Sequence, residues 1–153
     1  MIVNMVTLGD LTRHFLPDFM AAGHGSIMNV ASTAAFQPGP MMATYYATKS
    51  FVLSLTEAIA EEIRGTGVTI TALCPGPTAT NFERRAHIHE TRMFQIRGVQ
   101  RARDVAVTGW MGMKQGRRLV IVGWRNRLYA QVVRLLPRRL LVMIVKRLQT
   151  QVS

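Results

Sequence analysis

The sequence predicts an α/β fold built on a parallel sheet. Three observations carry that prediction: a strand, a helix and a strand follow one another between residues 26 and 74, both strands are short and largely apolar, and the helix between them is long and amphipathic. A strand–helix–strand unit of this kind needs parallel strands and a right-handed crossover.

Element by element, Leu8, Leu11, Phe15 and Phe19 recur at helical spacing in TLGDLTRHFLPDFM, with Pro17 as a kink and AAGHG as the stop. SIMNVAS reads as a strand ending at Ser32, and FQPGPM reads as a loop because of its two prolines and glycine. Val52, Leu55, Ile59 and Ile63 then mark one face of a helix through TYYATKSFVLSLTEAIAEEIR, closed by Gly65 or Gly67. GVTITALC is a β-branched strand that halts at Pro75-Gly76-Pro77. Ser32 and Pro75 therefore sit just beyond the C-terminal ends of their strands, with Tyr45 near the first turn of the connecting helix, and ligands of open α/β sheets bind at that edge. Residues 81–100 read as a loop or broken helix, 102–114 as a helix and RRLVIVG as a last strand. RNRLYAQVVRLL and RRLLVMIVKRL read as two helical pieces parted by Pro137.

At 153 residues and 48% hydrophobic content the chain suits one domain with a real core, residues 1–124, followed by a basic amphipathic helical extension, 125–153. The formal charge of +11 is concentrated: residues 1–80 hold three basic and five acidic side chains, residues 81–153 hold 16 and 3. A basic half invites a nucleic-acid or anionic-membrane reading, but no aromatic-interleaved basic platform accompanies it, so nucleic acid is not expected. The flanking of apolar helical pieces by Arg125, Arg127, Arg134, Arg138, Arg139, Lys146 and Arg147 suits peripheral membrane contact, and suits better a helix packed on the domain with its cations in water. The single cysteine, Cys74, excludes an internal disulfide and fits a reducing compartment, so a cytoplasmic location is expected. Asp10, Arg13, His14 and Asp18 interrupt the region a signal peptide would occupy, and the longest apolar run, LLVMIV at 140–145, falls far short of a membrane span.

Ser32, Tyr45 and Lys49 have a joint chemical logic. A carbonyl reduced by hydride needs a proton donor at its oxygen, and an alcohol being oxidised needs the reverse. Phenol can serve, but its pKa of about 10 asks for help at neutral pH. Lys49 stands one helical turn after Tyr45, on the same face, and cannot easily reach Tyr46. Its charge, with the helix N-terminus, favours phenolate, while the Ser32 hydroxyl can hold the substrate oxygen.

The stretch IMNVASTAAFQPGPMMATYYATKSFVLSLTEAIAEEIRGTGVTITALCPGPTAT closely resembles the short-chain dehydrogenases/reductases: a serine thirteen residues before the tyrosine, Tyr-x-x-x-Lys, and Pro-Gly after the next strand appear in order. The resemblance implies a Rossmann-like, doubly wound parallel sheet, here in a partial version. It implies Tyr45 as general acid/base, Lys49 as partner of the nicotinamide ribose that also lowers the tyrosine pKa, Ser32 as orienter of the substrate oxygen, and Asn4 as fourth member through a proton relay. Pro75, Gly76 and Thr78 resemble the segment packed against the nicotinamide, with Thr80 toward the diphosphate. The implied cofactor is NAD(P), with a slight preference for NADP and no selector residue to decide it. The implied partners are a small carbonyl or alcohol substrate and a second copy of the chain, joined through the first helix and the Tyr45 helix.

The chain departs from the family in having no Thr-Gly-x-x-x-Gly-x-Gly turn among its twelve glycines. On the family pattern roughly a hundred residues, three βα units, precede Asn4. Met1 is accordingly expected to be an internal methionine of a longer frame or the start of a truncated copy, with one sheet edge unpaired. Two rival readings arise from this: a catalytically incompetent remnant acting as a structural or pairing module, and a membrane binder acting through the tail. TATNFERRAHIHETRMFQIRGVQ falls where such enzymes keep a substrate lid, and His87, His89 and Glu90 within it are too sparse to assign a metal.

Overall fold

The computed structural model describes residues 3–80 and 98–149. The segment expected to cover the substrate lies for the most part outside them, as do His87, His89 and Glu90. A π-helical turn, Val3–Thr7, leads into α1 (Leu8–Ala22), which holds Pro17 and stops at Gly23 in the left-handed region, φ 72. Then come β1 (Gly25–Val30), a 3-10 turn (Thr33–Phe36), α2 (Ala43–Glu62) and β2 (Val68–Cys74). They are followed by the short β3 (Thr78–Ala79) and β4 (Gln100–Arg101), α3 (Ala102–Lys114), β5 (Leu119–Ile121), α4 (Trp124–Leu135) and α5 (Arg138–Gln149).

The main sheet is parallel with strand order β1-β2-β5, registered as Gly25 with Val68 through Val30 with Leu73, and Ala72 with Leu119 through Cys74 with Ile121. Helix α2 makes the β1–β2 crossover, and β3 and β4 pair separately. Side chains alternate along β2, so its two faces bury different partners. Val68 and Ile70 pack with Ile59, Ile63 and Phe19, while Ala72 and Cys74 join Val52 and Leu53 of α2. Leu73 points the other way, into a cluster with Val105 of α3, Val120 and Val122. The sheet is thus covered on both faces, as its near-continuous apolar strands require.

The inner stripe of α1 is rotated from the one expected. Leu8, Leu16 and Phe19 pack inward, but Leu11 and Phe15 are 53% and 47% exposed. The reason is polar: Thr12 takes the buried position one turn after Leu8 and accepts from Asn29 Nδ2 at 3.4 Å, and Asn29 also donates to Thr56 Oγ1 at 3.1 Å. That network ties α1, β1 and α2 at one buried point, where each polar group needs its partner.

Helices α4 and α5 are built into the fold. Val133, Leu141 and Val145 share one buried cluster with Ala34 and Tyr46, and the Gln149 amide donates to the Tyr46 hydroxyl. No helix among the described residues is long and apolar enough to cross a membrane. At Gly67 the backbone sits at φ +82, and a methyl added there would run into the carbonyl oxygen of Gly23. We expect Gly67→Ala to cost about 2–4 kcal/mol, measured as a lower urea midpoint at unchanged slope.

Candidate active site

Backbone pairing continues past the ends of the strands and sets the rim of the site. The Ala31 N–H donates to Leu73 O and the Thr33 N–H to Pro75 O, each at 2.8 Å, so Ser32 and Pro75 are clamped side by side at the C-terminal edge. Ser32 is extended (φ −173, ψ 163) and caps the 3-10 turn, its Oγ accepting from Ala34 N–H at 3.1 Å. Tyr45, third residue of α2, reaches back so that its hydroxyl hydrogen-bonds with Ser32. Lys49 comes one turn later; its Nζ lies 5.9 Å from the Tyr45 ring centroid and donates to Val30 O, at the end of β1, at 2.9 Å. Asn4, in the π-helical turn, donates through Nδ2 to Thr48 Oγ1 at 3.4 Å, and Thr48 donates to the Tyr45 carbonyl at 2.8 Å. The adjacent Tyr46 is 2% exposed and turned toward α5, so the lysine accompanies Tyr45 alone.

These groups open onto one cleft of about 500 Å³. Asn4, Ser32, Tyr45, Lys49, Pro75, Gly76 and Thr78 all line it, so the structure brings together every site residue the sequence singled out, and Thr80 with them. The sequence reading missed Gln37 and Met42 after the 3-10 turn, and Ala102, Val105 and Ala106 of α3. Small apolar residues on a helix carry no chemical signal, whereas Gln37 in the loop before the tyrosine was within reach of a reading that asked what else the loop presents.

The electrostatics correct one expectation. Burial raises the Tyr45 phenol above its ordinary value, with the hydrogen bond from Ser32 as the opposing, lowering influence. The Lys49 ammonium, itself held lower by burial, is engaged at Val30 O. Tyr45 is therefore protonated at neutral pH, the form that donates. Burial pushes the Cys74 thiol up to about 12. The unfolded thiol ionises first, so stability present below its ordinary value of 9.0 is lost as pH rises from there toward 12. We expect Cys74 in the folded chain to resist iodoacetamide at mildly alkaline pH and to react once urea unfolds it.

The donor set fits the nicotinamide-ribose part of a dinucleotide. An ammonium and a phenolic hydroxyl face the same cleft as the Pro75–Thr78 loop, over an apolar wall of Val30, Leu73 and Val105. Among the described residues, no three His, Cys, Asp or Glu side chains gather to hold a metal ion.

An α/β chain with a parallel sheet and a serine–tyrosine–lysine cleft at its C-terminal edge defines a class, and comparison with known proteins agrees. The family model described as short chain dehydrogenase matches residues 1–91, and the chain belongs to that family. It is 42% identical over 78 residues to an uncharacterized oxidoreductase of Bacillus subtilis, YvrD, covering 51% of this chain and 30% of that protein. A solved 7beta-hydroxysteroid dehydrogenase superposes with TM-score 0.81 at 24% identity, covering 95% of this chain and 57% of the other. A short-chain dehydrogenase from Sphingobium yanoikuyae in complex with NADPH superposes with TM-score 0.71 at 26% identity, covering 98% and 56%. The chain thus spans about a third of the length of the curated relatives it resembles and little more than half of the solved ones.

Proposed function

We propose that the protein is an NAD(P)-dependent oxidoreductase acting on a carbonyl/alcohol pair, with Tyr45 as the general acid/base. One observation carries the reading: the Tyr45 hydroxyl and the Ser32 hydroxyl meet in a single cleft with Lys49 beside them. A bound nicotinamide supplies the hydride in reduction and accepts it in oxidation. Ser32 donates to the substrate carbonyl and fixes its oxygen beside the phenol. Tyr45 then gives its proton to that oxygen as charge develops there, and the burial that keeps the phenol neutral keeps this proton available at pH 7. Lys49 would hold the ribose hydroxyls of a bound cofactor, and Pro75, Gly76 and Thr78, which line the same cleft, would face its nicotinamide. Asn4 holds Thr48, and through it the first turn of α2.

The proposal extends to NADP as the favoured cofactor, to a cytoplasmic location and to a homo-oligomer, the last supported by the exposed Leu11, Phe15 and Met20 along α1. Ketone-dependent loss of reduced-nicotinamide absorbance on adding the purified chain tests the reading; a chain that binds neither NADPH nor NADH and consumes neither sinks it. A second reading is a folded module without turnover. Binding of cofactor without turnover on any ketone separates it from the first. Peripheral membrane contact is the third reading. It rests on exposed Leu140, Met143 and Ile144 of α5 among cationic neighbours, and equal co-sedimentation with anionic vesicles with and without residues 125–153 removes it.

A further inference from the structure

Gln37 comes after the 3-10 turn in extended backbone (φ −150, ψ 161) and is 4% exposed. Neither its amide nitrogen nor its amide oxygen has a hydrogen-bond partner, the only described side chain with both polar atoms so placed. It lines the catalytic cleft together with Ser32 and Tyr45, and with Tyr46 it stands in the wall shared with a second cavity of about 660 Å³. A buried amide without partners is costly and rare in a folded protein unless a ligand or solvent completes it. Several other polar groups of the cleft already have work: Ser32 with Tyr45 and Ala34, Lys49 with Val30, Asn4 with Thr48, Thr78 with Gly76. Much of the remaining lining of the cleft is apolar, with Met28, Val30, Leu73, Met42 and Val105 beside the hydroxyls of Thr33, Thr78 and Thr80.

We propose that Gln37 is the specificity-determining residue of the cleft: its amide, with the donors of its nitrogen and the acceptor oxygen both to offer, binds a second hydroxyl on an otherwise apolar substrate. The substrate class is then a hydroxyketone and its diol, and not a simple hydrocarbon ketone. A group that both donates and accepts matches an amide left with both capacities, whereas a hydrocarbon in that position leaves both atoms unpaired. Sites built this way reject the analogue lacking the hydroxyl far more strongly than a purely apolar pocket separates two hydrocarbons. This assignment rests on the carbonyl/alcohol reading of the same cleft.

The test compares the full chain with Gln37→Met, which keeps length and apolar volume and removes hydrogen bonding, on cyclohexanone and on 2-, 3- and 4-hydroxycyclohexanone. The wild type is expected to favour at least one hydroxyketone over cyclohexanone by about 10–100-fold in kcat/KM, and Gln37→Met to bring that ratio close to one. A wild-type ratio near one, or a ratio unchanged in the variant, overturns the assignment. A melting temperature lowered in Gln37→Met by more than about 5 °C marks the residue as part of the fold and overturns it too. If the wild type reduces none of the four ketones, Gln37 is decided by binding instead. A saturable rise in melting temperature with cyclohexanediols in the wild type that is lost in Gln37→Met sustains its role. Equal shifts in both, or none in either, ends it.

Discussion

Tyr45→Phe is expected to lower kcat for ketone reduction by about 10²–10⁴-fold while leaving cofactor affinity within a few-fold of the wild type. The substitution keeps the ring, its edge-to-face contact with Tyr46 at 6.0 Å and the buried wall it forms, and removes only the hydroxyl that meets Ser32. Loss of turnover with retained fluorescence quenching of NADPH therefore isolates the proton. A variant as active as the wild type would mean that solvent or another group donates. Equal loss of cofactor binding and turnover would mean that the hydroxyl holds the cofactor and not the substrate proton.

Removal of residues 124–153 is expected to have the largest effect on stability, lowering the melting temperature by about 10–20 °C or preventing folding. Val133, Leu141 and Val145 are buried against Ala34 and Tyr46, and each such side chain contributes about 1.5–3 kcal/mol on burial. Removal also strips Gln149 from the Tyr46 hydroxyl and takes away Asn126, whose side chain lies so close to Gly76 that a methyl there would collide with it. The damage thus reaches both ends of the site, the first turn of α2 and the loop after β2. A shortened chain with an unchanged melting temperature would show that the two helices are a detachable tail.

The parts of this site that could be read from the sequence are those whose partners are close along the chain or whose chemistry is rare. Tyr45 and Lys49 share a helix face by spacing alone, and a strand–helix–strand unit puts Ser32 and Pro75 at one rim whatever the details of packing. The contact between Gln149 and Tyr46 joins residues 103 apart, and no local pattern announces it. Burial is likewise not local. The lysine beside Tyr45 suggested a lowered phenol, but the enclosing walls include residues of β1, β2 and α3 that are distant along the chain, and burial raises it. The rotated face of α1 has the same origin, because the buried Asn29 of β1 demanded Thr12 on the inner stripe and left Leu11 and Phe15 outside.

The pH dependence of kcat/KM for ketone reduction, taken on the wild type beside Tyr45→Phe, tests the central claim most directly, since it reports the ionisation of the free enzyme's essential acid. A buried phenol whose ionisation is raised stays protonated through neutral and mildly alkaline solution. The wild-type rate constant is therefore expected to be level there and to fall only above the ordinary tyrosine value of 10.0, with the falling limb absent from the residual rate of the variant. A fall that begins near neutrality, or the same limb in both proteins, would contradict the account.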